Sequence, residues 1–226
     1  MFADWVIWAM ILPGMVLGGF AQQRVRQAVA AWSRVPLGTG LTGAQVARHI
    51  LDKRGLGAVR IEPSKGVLSD HYDPRGKVLR LSEAVYGVRS VAAAGIAAHE
   101  AGHAIQDAED YLPLEARSFI VPVVRVGSSI APLIFFGGLF MQAPTITLVG
   151  AALFGLSSLF SLITLPVEFD ASKRALKHLD GLGIIRAESE MEGARKVLGA
   201  AAWTYVAAAV SAVGAWGMYL LMSRRR

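Results

Sequence analysis

TITLVGAALFGLSSLFSLITLPV, residues Thr145–Val167, holds no acidic, basic or histidine side chain. Roughly 20 apolar residues at 1.5 Å rise cross a hydrocarbon core of about 30 Å, so this stretch predicts a transmembrane helix. Three other stretches read the same way. Phe2–Phe20 carries only Asp4, Ser118–Met141 carries only Arg125, and Gly199–Met222 carries no charge. Together they predict a mainly α, polytopic membrane protein with spans at 1–20, 118–141, 145–167 and 199–222. The alternative is that these are buried core helices of a soluble protein. The first span lacks a basic leader and a small-residue cleavage site, and is expected to be an uncleaved anchor.

Composition agrees. Of 226 residues, 54% are hydrophobic and 18% charged, whereas a soluble domain is about a quarter charged. There is no cysteine, which excludes disulfide scaffolds, thiol nucleophiles and cysteine-ligated metals. Any metal must be held by the five histidines or by carboxylates. The net charge of +6 reflects basic loops of a membrane protein rather than a nucleic-acid partner.

The polar regions between the spans are residues 21–117 and 168–198. The link between the second and third spans is only long enough for a hairpin, so both regions fall on one side. They carry 13 and 6 Lys/Arg, and the positive-inside rule puts them in the cytoplasm. The tail Arg224-Arg225-Arg226 opposes this orientation.

Thr42-Gly43-Ala44-Gln45 is a capping box opening an amphipathic helix with Val46, Ile50 and Leu51 on one face, ending at Gly55. His49 on that helix reads as structural. Ala58–Glu62 alternates like a strand. Val67-Leu68-Ser69 and Lys77–Leu81, around the turn Asp73-Pro74-Arg75-Gly76, predict a small β-hairpin. Ser82 is expected to cap a long helix reaching Asp107. A second helix continues past Glu168 to Leu179, stopped by Gly181 and Gly183. Ser189-Glu190-Met191-Glu192 is a further capping box leading into the fourth span.

The chemistry lies in the long helix. His99-Glu100-Ala101-Gly102-His103 is an H-E-x-x-H motif, and residues four apart share a helix face, so both imidazoles can reach one Zn2+. Glu100 falls about a third of a turn away, where it can take a proton from a zinc-activated water. A catalytic zinc site needs a third protein ligand. A metzincin would have Gly at 106 and His at 109; this chain has Gln106 and Glu109. Glu168 is the best alternative, because an acidic residue at the end of an uncharged span is costly unless it is used. Asp170 lies on the far side of that helix. His178 reads either as a group near the site or as a solvated residue beside Lys177. His71 and Asp73 read either as cleft-lining groups or as turn chemistry.

The strings Ser90–Gln106, Asp70-His71-Tyr72-Asp73-Pro74 and Leu165–Ser172 resemble, in the same order and over nearly the whole chain, the YugP-like neutral zinc metallopeptidases of bacterial membranes. The resemblance implies a relationship to HtpX-like gluzincins. It also implies His99, His103 and Glu168 as zinc ligands and Glu100 as base and acid. Glu168-x-x-Ala171 resembles the E-x-x-A-D pattern of that group, with Ser172 in place of Asp. Ser172, Asp170 and Asp73 are the candidates to orient a histidine ligand in its stead.

The expectation is a membrane-bound zinc metalloendopeptidase with a helical, zincin-like catalytic portion facing the cytoplasm. Its partners would be the lipid bilayer and a peptide or membrane-protein substrate. The alternative is a non-cleaving membrane scaffold or regulator that keeps a structural zinc. Glu100 argues against it, because a structural site needs no base. Strand Lys77–Leu81 is further expected to lie at a sheet edge, where an extended substrate can pair with it.

Overall fold

The computed structural model describes residues 2–66 and 69–223. Val67 and Leu68, read above as part of a hairpin arm, and the tail Arg224–Arg226 lie outside the described residues. The elements are α1 (Phe2–Trp32), α2 (Gly43–Lys53), β1 (Arg60–Ser64), β2 (His71–Asp73) and β3 (Val78–Ser82). They are followed by α3 (Glu83–Tyr86), α4 (Val91–Ala108), α5 (Leu112–Phe140), α6 (Pro144–Gly181) and α7 (Glu188–Ser223). The chain divides into two units.

One unit takes the chain up to Gln22, Glu115–Pro166, and Trp203 onward. It is built from the apolar parts of α1, α5, α6 and α7, four helices long and apolar enough to cross a membrane. Small residues let these helices approach closely, since a Cβ on Gly14 would lie 2.4 Å from Ser211 Oγ and one on Gly150 would lie 2.5 Å from the Phe135 nitrogen. Phe154 stacks on Tyr219, with ring centroids 3.8 Å apart, and Phe135 meets Tyr219 edge-on at 4.4 Å. Only 11–28% of each apolar window is buried. Trp5, Trp8, Phe119, Leu133 and Phe140 all point outward. A soluble core would bury such residues, so the outward apolar surface marks membrane helices.

The other unit comprises Gln23–Leu114 and Val167–Ala202. Its core gathers Val46, Ile50 and Leu51 from α2, Leu79 and Leu81 from β3, Ala98 and Ile105 from α4, and Leu179 from α6. The predicted capping box forms. The Gln45 amide N–H donates to Thr42 Oγ1 (3.3 Å), and the Thr42 N–H donates to Gln45 Oε1 (2.9 Å). Gly55, at φ +72°, turns the chain out of α2. Gly183, at φ +62°, does the same after α6.

Four expectations need correction. First, the hairpin partner of β3 is His71–Asp73, which pairs antiparallel with Val78–Arg80. Its register is fixed from Asp70, whose carboxylate accepts the Ser82 N–H (2.7 Å) and hydroxyl (3.0 Å). The predicted turn is present, with the Arg75 N–H donating to Asp73 Oδ1 at 3.0 Å. Second, β3 is not an edge. The strand order is β1-β3-β2, with β1 running parallel to β3, so the backbone of β3 is occupied on both sides and offers no edge to a substrate. Third, the zinc-motif helix does not begin at Ser82. Ser82 spends its hydroxyl on Asp70, α3 stops at Gly87, and α4 starts afresh behind Ser90, whose Oγ accepts the Ala93 N–H at 3.2 Å. The break has a cause. Residues 35–37 pair with 89–91, Leu37 N–H donating to Arg89 and Val91 N–H to Val35, which holds the chain extended there. Fourth, the Ser189 box does not form, because α7 begins at Glu188 and Ser189 lies within its first turn; Glu192 pairs with Lys196, and Glu190 accepts the Gly38 N–H at 2.6 Å.

Candidate metal centre

Helix α4 carries His99 and His103 one turn apart, their rings edge-to-face with centroids 4.8 Å apart. Helix α6 brings Glu168 between them. Its Oε2 lies 3.1 Å from His99 Nε2 and 3.5 Å from His103 Nε2. One donor atom from each residue falls within 4.8 Å of the others, and Glu168 is 2% exposed. Gly102 and Ala171 make this convergence possible, because a Cβ at Gly102 would sit 2.7 Å from the Ala171 carbonyl oxygen. A larger residue there would hold the helices apart.

The far nitrogen of each imidazole is also held. His99 Nδ1 lies 3.2 Å from Ser172 Oγ, and His103 Nδ1 lies 2.9 Å from Gln106 Oε1. Gln106 is fully buried, and its Nε2 donates to the Val167 carbonyl and to Asp170 Oδ2, both at 2.8 Å. Asp170 pairs with Arg174, Arg174 with Glu109, and Glu109 with Arg54. Burial pushes the His103 pKa down, but the Glu168 hydrogen bond and the Glu100 and Glu168 charges outweigh it and hold it above the ordinary value. The pocket therefore favours positive charge.

Two imidazoles and one carboxylate, with oriented far nitrogens in an anionic pocket, match the three-ligand donor set of a catalytic zinc. The residues fit the metal. Glu100 is 8% exposed and lies close enough for its charge to act on His103. It is not one of the three clustered donors.

The remaining candidates fall elsewhere. Ser172 and Asp170 support the cluster, one directly and one through Gln106. His71 bonds to the Ser69 carbonyl (2.8 Å) and faces Arg80 (3.5 Å), and Asp73 pairs with Arg80 and the Arg75 N–H. Both serve the sheet and its turn. His178 is ten residues beyond Glu168 on α6, about 15 Å along the axis, and the charges of Arg54, Lys177 and Arg174 add to burial in lowering its pKa. It is too far for a role at the cluster. Asp107, one turn past His103, is taken by Tyr72 (2.6 Å) and Lys77 (2.5 Å). In the sequence Gln106 stands out only as a mismatch to the metzincin pattern. Its place three residues after a histidine, on the same face, was the available signal.

A family model described as "Putative neutral zinc metallopeptidase" matches residues 7–224. The chain is 47% identical over 194 residues to "Putative membrane protease YugP" of Bacillus subtilis (strain 168), covering 86% of each sequence. No solved structure matches it.

Proposed function

The chain belongs to the family described as "Putative neutral zinc metallopeptidase", and from that premise we propose that it is a membrane-bound zinc metalloendopeptidase with Glu100 as general base. The observation that carries this reading is the convergence of His99, His103 and Glu168 with both far imidazole nitrogens engaged. These three residues would hold the metal. Zinc, when bound, supplies Lewis acidity that polarises the scissile carbonyl and acidifies water.

The chain's own groups do the rest. Glu100 accepts a proton from the attacking water while the water oxygen bonds to the carbonyl carbon. It returns that proton to the amine nitrogen as the C–N bond breaks. Glu100 does not coordinate, which leaves its carboxylate free to carry the proton.

The domain plan of the proposal is four spans with the catalytic portion, residues 21–117 and 168–198, in the cytoplasm. Its support is the 19 basic residues of those regions. Glu168 follows the apolar run Thr145–Val167 directly, which favours extended segments beside membrane anchors as substrates. The test is hydrolysis of an unfolded protein by wild type and Glu100→Gln, with zinc content measured on both. The expected result is one zinc per chain in each and cleavage in wild type alone. Equal cleavage by the glutamine variant overturns the mechanism.

A further inference from the structure

We propose that Gln106 is a positioning residue that fixes which nitrogen of His103 faces the metal. The inference rests on the zinc reading above. A neutral imidazole carries its proton on either ring nitrogen, and only the bare one can bind a metal. The selection is therefore made at the far nitrogen. At His103 that nitrogen meets a side-chain amide, which can in principle present either its oxygen or its NH2 group.

The surroundings of Gln106 decide between the two. Its nitrogen end faces two acceptors, the Val167 carbonyl and Asp170 Oδ2, each at 2.8 Å. Turned over, the amide would set its oxygen against a carbonyl and a carboxylate and leave its NH2 group against the Nδ1–H. Both acceptors thus hold the oxygen toward His103, where it accepts the Nδ1 proton at 2.9 Å. Nε2, the atom facing Glu168, is left bare. Asp170 is itself held by Arg174, so the amide is fixed at both ends.

An amide is the group this position requires. A glutamate would accept from His103 but confront the Asp170 carboxylate. A leucine would strand the His103 Nδ1–H beside a position with no exposure and remove a donor from the Val167 carbonyl and from Asp170. Asp170 Oδ2 accepts from both Gln106 and Arg174, so a carboxylate at 106 would face two acceptors at once, that oxygen and the Val167 carbonyl.

The test measures zinc affinity by chelator competition on the full-length purified protein, with the visible spectrum of the Co2+-substituted form as a second readout. Q106L is expected to lose about 10–100-fold in affinity and to show a changed Co2+ spectrum. Q106E is expected to be weakened, and Q106M, close to glutamine in size but without its amide, to behave as Q106L does. Wild-type affinity in Q106L overturns the inference. So does wild-type affinity and spectrum in Q106M, a comparison that stands even where Q106L does not fold. If wild type binds no zinc, or His99→Ala binds it equally well, the metal-site reading itself fails; wild-type binding lost in His99→Ala but kept in Q106L sinks the Gln106 role alone.

Discussion

The α-carbon of Gly102 lies so close to Ala171 that a side-chain methyl would sit 2.7 Å from its carbonyl oxygen. Gly102 stands one residue before a histidine of the cluster, and Ala171 lies between Glu168 and Ser172. The contact therefore sets the distance between the two helices that assemble the site.

Gly102→Ala should force that contact open. The expected cost is about 1–3 kcal/mol of stability, typical of overpacking, with weaker zinc retention because Glu168 and Ser172 move with Ala171. Gly95→Ala on the same helix is the control. A Cβ there meets Ala194 at an ordinary 3.8 Å, so this variant should gain about 0.5–1 kcal/mol from helix propensity. Thermal melting and zinc titration of both variants check the contrast. Equal effects would mean that the Gly102 contact is not limiting.

Glu168→Ala should abolish tight zinc binding, and Ser172→Ala should weaken it by roughly tenfold, as loss of a ligand-orienting partner commonly does. The hydroxyl lies 3.2 Å from His99 Nδ1, and nothing else about the donor set changes. Zinc content after dialysis against graded chelator separates the two. An unaffected Ser172→Ala would show that His99 is oriented by packing alone.

Glu109 sits between two guanidinium groups, and the Arg174 hydrogen bond holds its carboxyl below the ordinary 4.5. A lowered folded pKa stabilises above the unfolded value and is lost as pH falls through the folded one. The side chain is partly exposed, so the contribution is about 0.2–1 kcal/mol and is screened by salt. Glu109→Gln should thus melt slightly below wild type at neutral pH. The gap should close in acid and shrink in high salt. A gap that persists in acid would point to packing rather than charge.

The absence of native cysteine makes an introduced thiol unique. A cysteine in place of Lys53 or Glu192 should react with a membrane-impermeant maleimide only after the cell membrane is opened. Labelling in intact cells would reverse the orientation proposed for the polar regions.

Much of this was legible in the sequence because the deciding signals were local. An uncharged run long enough to span, a capping box at Thr42–Gln45 and a histidine pair four apart each report on a few consecutive residues. Errors arose where a distant partner intervened. Ser82 has the chemistry of a cap, yet Asp70 claims its hydroxyl. The helix starts at Val91 because residues 35–37 hold 89–91 extended. Ser189 has the chemistry of a cap, yet α7 already starts at Glu188, where Glu190 reaches Gly38, 152 positions away. Gln106 gains its role from Val167 and Asp170, which only the packing of α6 brings near.

The sheet order carries a consequence for the order of assembly. β1 and β2 precede β3 in the chain, yet they do not touch each other; each pairs only with β3. A chain emerging N-terminus first can complete no part of the sheet until residues 78–82 arrive. The two earlier strands wait without a partner while their backbone groups remain hydrated. A truncation before Val78 therefore has two would-be strands and no sheet, whereas one extended a few residues further can form all three at once.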